Sequence, residues 1–156
     1  MVSIQILDLP KLKFIELGDG SFGNSHTFSI DGLDDLELID IGNNCFSGVK
    51  TFKINEMHKL KQLRVGENSF TQKRRFQSAD ELRSFYILNC ESLESIAIGD
   101  FSFSNFTDKL ELRNLPSLQG ITIGMNESRS YDLTWDPVII RGTRYHLTIV
   151  CRASCY

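Results

Sequence analysis

An eleven-residue phrase recurs through the chain: Leu, two variable residues, Leu or Ile, one variable, an aliphatic, Gly, two variable, Ser or Cys, then Phe. It first reads Leu12-Lys13-Phe14-Ile15-Glu16-Leu17-Gly18-Asp19-Gly20-Ser21-Phe22, and returns as Leu36 to Phe46, Leu60 to Phe70 and Leu93 to Phe103. A fifth copy, Leu118 to Ser128, keeps the phrase through its Gly but ends in Glu127-Ser128 in place of Ser or Cys and Phe. The phrase glycines Gly18, Gly42, Gly66, Gly99 and Gly124 are spaced by 24, 24, 33 and 25 residues. Self-similarity at this period is the mark of a solenoid, in which each turn buries its apolar face only against its neighbours.

Apolar residues alternate inside the phrase, as Ile15/Leu17, Ile39/Ile41, Leu63/Val65, Ile96/Ile98 and Ile121/Ile123. Period two predicts a short strand with one buried face. The Gly that follows predicts either positive φ or a close backbone approach. A second motif lies eight residues before each leading Leu: Ile4-Gln5-Ile6, Phe28-Ser29-Ile30, Phe52-Lys53-Ile54, Phe85-Tyr86-Ile87 and Leu110-Glu111-Leu112. Val138-Ile139-Ile140 closes that series. Each turn is therefore expected to hold two short extended segments, one per side. The phrase-ending Phe22, Phe46, Phe70 and Phe103 are expected to point inward as an aromatic column.

The phrase resembles the leucine-rich repeat L-x-x-L-x-L-x-x-N-x-F, with Asn44, Asn68 and Asn126 at the Asn position and Gly20 and Phe101 replacing it. The Ser-or-Cys then Phe ending, with β-like residues on the return side, is most similar to the BspA-like repeats. The likeness runs from about Ile4 to Ile140. It implies a right-handed superhelix, with short parallel strands on both sides and little helix. It also implies an Asn hydrogen-bond ladder in the turns that keep the Asn, and a role in adhesion or recognition. A lean to the cell surface or a secreted state follows from the same likeness.

The period breaks once, where the spacing of 33 leaves nine extra residues after Phe70. This insertion, near 71–84, holds the basic run Lys73-Arg74-Arg75 and a capping-box pattern, Ser78-Ala79-Asp80-Glu81, that predicts one helical turn. It reads as a solvated loop dispensable for folding from Lys73 to Arg83, with a functional loop as the alternative. The pattern decays after Gly124, so 1–130 is read as a solenoid of about five turns and 131–156 as a C-terminal cap, with Trp135 and Tyr145 shielding the core. The first repeat begins in mid-period. This leads us to expect a fragment missing its N-terminal cap, or association through that edge.

At 156 residues with 41% hydrophobic content, the chain is one domain with a sizeable core. The net charge of −3 carries no nucleic-acid signature, and no apolar run reaches the length of a membrane span. Cys45 and Cys90 occupy non-equivalent places and are not expected to pair. Cys151 and Cys155 pair in the cap or remain free. Gly18-Asp19-Gly20-Ser21-Phe22-Gly23 matches a glycine-rich phosphate loop, but no helix is expected after it and the repeat already accounts for Gly18 and Phe22. His26, His58 and His146 fall at unrelated repeat positions, with His58 read as a turn residue. No metal spacing, cofactor site or catalytic cluster emerges.

The candidate ligand surface is the phrase-strand face that points outward. Its central row is Glu16, Asp40, Arg64, Ala97 and Thr122, and its flanking row is Lys13, Glu37, Lys61, Glu94 and Gln119. Lys13, Glu37 and Lys61 alternate in sign and can pair across strands. Phe14 and Leu38 would serve as apolar anchors. The plain alternative is a self-compensating solvated face. The expected function is a non-enzymatic interaction module that presents this face to a protein or glycan. The rivals are a polysaccharide-acting enzyme on a parallel β-helix and a spacer within a longer chain.

Overall fold

The computed structural model describes residues 2–71, 82–103, 108–124, 138–142 and 148–151. The phrase strands are β2 (Phe14–Leu17), β4 (Leu38–Ile41), β6 (Gln62–Val65), β8 (Ser95–Ile98) and β10 (Gly120–Ile123). The return strands are β1 (Ser3–Ile6), β3 (Thr27–Asp31), β5 (Thr51–Asn55), β7 (Ser84–Leu88) and β9 (Lys109–Arg113). Two more, β11 (Val138–Arg141) and β12 (Thr148–Cys151), follow them. All pairings are parallel, in a return sheet β1-β3-β5-β7-β9-β11 and a phrase sheet β12-β10-β8-β6-β4-β2. The chain is thus a parallel β-solenoid, and no helix occurs among the described residues. The predicted helical turn at Ser78–Glu81, with Trp135 and Tyr145, lies outside them. Within the segment read as a cap, β11 and β12 extend both sheets in the same register, Val138↔Leu110 and Gly120↔Thr148.

Strand alternation sets the core. Phe28/Ile30, Phe52/Ile54, Phe85/Ile87 and Leu110/Leu112 face inward from the return sheet, meeting Ile39/Ile41, Leu63/Val65, Ile96/Ile98 and Ile121/Ile123 from the phrase sheet. Phe46, Phe70 and Phe103 are fully buried and stack with centroids 4.8 and 4.5 Å apart. The return-strand rings Phe28, Phe52 and Phe85 form a second stack at 5.4 and 4.9 Å. The two columns meet edge-on, as Phe52 on Phe70 at 4.9 Å and Phe85 on Phe103 at 4.7 Å. Such geometry favours aromatic pairs beyond the area they bury. Phe22 departs from the inward expectation: it stacks on Phe46 at 5.3 Å but remains 46% exposed, because no ring among the described residues covers its other side.

The turn after each phrase strand is tight. Residues at its ninth position, Gly20, Asn44, Asn68 and Phe101, have φ of 74°, 57°, 54° and 61°. The closing Phe22, Phe46, Phe70 and Phe103 lie at 55–58°. Left-handed backbone costs an ordinary residue about 1–2 kcal/mol; burying a ring returns about 1.5–3 kcal/mol, so a Phe is tolerated where it fills the core. This corrects the expected Asn ladder. Asn44 and Asn68 are exposed, and their position selects residues that tolerate left-handed backbone, which is also why Gly20 fits. The side-chain ladder runs one residue earlier: Asn43 N donates to Asp19 Oδ1 at 2.8 Å and Glu67 N to Asn43 Oδ1 at 2.7 Å.

The Ser-or-Cys position is a linker between turns. Ser69 Oγ donates to Gly42 O at 2.8 Å and accepts Cys45 N at 3.1 Å; Ser102 Oγ donates to Gly66 O and accepts Ser69 N at 2.9 Å. Cys45 Sγ donates to Gly18 O at 3.3 Å, so any small donor serves. Three of the phrase glycines, Gly42, Gly66 and Gly99, resolve in favour of close approach. A Cβ on Gly42, Gly66 or Gly99 would come within 2.6–2.9 Å of the preceding turn, largely of its backbone, without positive φ. Among the phrase glycines, Gly124 has the positive φ, 77°.

The insertion is not wholly outside the fold. Arg83, at its end, is 2% exposed, and its Nη1 donates to Ser47 O at 3.2 Å and Val49 O at 3.1 Å. The reading of Lys73 to Arg83 as a solvated loop is corrected at Arg83, whose side chain is buried in the fold. The rest of that run lies outside the described residues.

Candidate functional site

Strand alternation that turns Ile15, Ile39, Leu63, Ile96 and Ile121 inward turns their successors outward. The register Glu16↔Asp40↔Arg64↔Ala97↔Thr122 is present. The flanking row is held by backbone bonds from Glu37 N to Lys13 O, Lys61 N to Glu37 O, Glu94 N to Lys61 O and Gln119 N to Glu94 O, all 2.8–2.9 Å. Phe14 neighbours Leu38 in register; Phe14 is 56% exposed, whereas Leu38 is half-buried, shielded on both sides within the sheet. All ten predicted residues therefore share one face: Lys13, Phe14, Glu16, Lys61, Arg64 and Glu94 exposed, and Glu37, Leu38, Asp40 and Thr122 intermediate.

Charge pairing on this face differs from expectation. No ion pair links Lys13, Glu37 and Lys61 among the described residues. Arg64 instead turns to the central row, with Nη1 3.9 Å from Asp40 Oδ2 and Nη2 donating to Gln62 Oε1 at 3.0 Å. Further pairs lie at the corner before the phrase strands. Lys59 Nζ donates to Asp35 Oδ1 at 2.6 Å. That bond holds the Asp35 carboxyl below the usual range and the Lys59 ammonium above it. His58, in the corner turn as expected, lies 3.8 Å from both Asp34 and Glu91, its neighbours on adjacent turns. The signal for this corner was present as Leu33-Asp34-Asp35-Leu36, Met57-His58-Lys59-Leu60 and Cys90-Glu91-Ser92-Leu93. It is hidden by the variety of its middle residues.

The return sheet carries a further ladder. Asn55 Nδ2 donates to Asp31 Oδ1 at 3.1 Å, Asn89 Nδ2 to Asn55 Oδ1 at 2.9 Å and Asn114 Nδ2 to Asn89 Oδ1 at 2.9 Å. It escaped sequence reasoning because the insertion and a one-residue offset break its period.

Six strands at about 4.8 Å spacing, each of four residues, make the phrase sheet only roughly 24 by 13 Å. That is well under the ~800 Å² per partner of a standard protein interface. A partner must therefore also cover the corner rows, or bind weakly. Cys45 and Cys90 are buried free thiols, not a redox pair. No group of three or more His, Cys, Asp or Glu side chains among the described residues is placed to hold a metal. Among the described residues, no helix is long and apolar enough to cross a membrane. No family model, curated protein or solved structure matches the chain.

Proposed function

We propose that this β-solenoid is a non-enzymatic interaction module of the leucine-rich repeat type, close to the BspA-like repeats, which presents its phrase-sheet face to a protein or glycan. The leucine spacing supports the family reading. The observation that carries the functional one is the outward register of Glu16, Asp40 and Arg64 beside the exposed Phe14 and its half-buried neighbour Leu38. Exposed aromatics beside ordered polar rows are the usual anchors of recognition surfaces, and the acidic corner Asp34, Asp35 and Glu91 extends the footprint. A photo-crosslinking residue at Asp40 should capture a ligand from extracellular or surface extracts, whereas one at Ser29, on the opposite sheet, should not. Phe14→Ala should abolish the capture. Equal capture at both positions, or none at either, would overturn the proposal.

A further inference from the structure

The outward side of the return sheet has a polarised charge distribution. Its N-terminal half carries Ser3, Gln5, Thr27 and Ser29. Its other half carries Lys53, Lys109, Arg113 and Arg141 around a single outward carboxylate, Glu111, on a chain whose net charge is −3. Glu111 is shared by two of these cations, with Lys109 Nζ at 2.8 Å and Arg113 Nε at 3.6 Å. Lys53 and Arg141 have no ion-pair partner among the described residues. Arg113 and Arg141 are neighbours in register, and like charges on adjacent strands are destabilising. The bordering carboxylates Asp31 and Asp108 are engaged by Asn55 Nδ2 and Ser84 Oγ, while Glu56 lies beyond the strand end.

We infer that this half of the return sheet binds an anionic polysaccharide. Charge complementarity calls for an extended polyanion, since the cations span β5 to β11 rather than converging on one point. The rest of the surface selects the polymer. Besides Tyr86, Leu88 and the Ile139 position beside Glu111, the outward positions are polar: Thr51, Asn55 and the ladder residues Asn89 and Asn114. A protein interface needs an apolar centre. Here the apolar positions are interrupted by charge: Lys109 Nζ sits 5.6 Å over the Tyr86 ring, and the Ile139 position adjoins Glu111 and Arg141. Each ladder carboxamide commits one N–H to the next and keeps a second for a sugar hydroxyl. Carboxylate-bearing and sulfate-bearing polysaccharides offer the same chemistry.

The test is titration of the whole chain with polygalacturonate and with dextran sulfate, using neutral dextran and polyglutamate as controls. Binding to at least one of the two polysaccharides should weaken as salt rises. It should fall at least tenfold in the Arg113→Ala/Arg141→Ala double variant and be unchanged in Phe14→Ala, which separates it from the phrase-sheet proposal. Circular dichroism of the double variant should match the parent, and Lys53→Ala alone should weaken binding measurably. Which polysaccharide binds more tightly identifies the anionic group. No binding to either at low salt, equal binding of neutral dextran, tighter binding of polyglutamate, or indifference to the cation substitutions would overturn the inference.

Discussion

Phe70→Ala tests the packing logic most severely. The ring is fully buried, stacked between Phe46 and Phe103 at 4.8 and 4.5 Å, with Phe52 edge-on at 4.9 Å. Removing a buried Phe costs about 3–5 kcal/mol. Alanine at φ 55° keeps the left-handed strain, so nothing offsets the loss. Phe22→Ala removes the same ring from the same phrase position. There, nearly half the ring is already solvated and one stacking partner is lost, so about 1–2 kcal/mol is expected. Glu16→Ala, on the open face, should stay within about 0.5 kcal/mol. Urea unfolding followed by far-ultraviolet circular dichroism reads these differences. With slopes of roughly 1–3 kcal/mol per molar and a difference of about 2.5 kcal/mol, Phe70→Ala should lower the midpoint by roughly 0.8–2.5 M relative to Phe22→Ala. Equal midpoints for Phe70→Ala and Phe22→Ala would refute the stacked-column account.

Two further outcomes follow from buried polar groups. Arg83→Ala should cost about 2–4 kcal/mol by the same assay, because the Ser47 and Val49 carbonyls lose a charged donor inside the fold; a loss below ~0.5 kcal/mol would place Arg83 outside the core. Burial pushes the Cys90 thiol up to about 12 from its ordinary 9.0, so at pH 8 it should resist iodoacetamide until the chain unfolds. A thiol pKa raised by folding contributes stability that is full below about 9 and is lost as pH rises toward 12. Rapid labelling of Cys90 in the folded chain would contradict its burial.

Much of the architecture was legible because identical residues recur at fixed offsets. The alternating Ile and Leu pairs and the offset of eight set both sheets and their register, down to Lys13, Glu37, Lys61, Glu94 and Gln119 along one edge. Other features needed coordinates. Asn44 looks like a hydrogen-bonding residue in sequence, yet its place is chosen by backbone φ, a property shared with Gly20 that spacing alone does not distinguish. Arg83 reads as part of a basic loop, because its carbonyl acceptors, Ser47 and Val49, lie more than 30 residues earlier. The second aromatic column was hidden because Phe28, Phe52 and Phe85 satisfy strand alternation without implying that they stack. The cations of the return sheet share no motif; only the register gathers them.

The central claim is that successive phrases stack directly, turn upon turn. Paired glycine substitutions test it at one repeat position. A Cβ on Gly66 would meet Gly42 C at 2.7 Å and Asn43 N at 2.8 Å, whereas a Cβ on Gly18 would meet nothing within 4 Å. Neither glycine has positive φ, so steric contact alone separates them. Gly66→Ala is expected to cost about 1–3 kcal/mol or more. Gly18→Ala should be neutral or stabilising by up to about 1 kcal/mol through the unfolded chain. Unfolding midpoints separated in that order are the predicted result; equal destabilisation by both, or tolerance of both, would contradict the stacking.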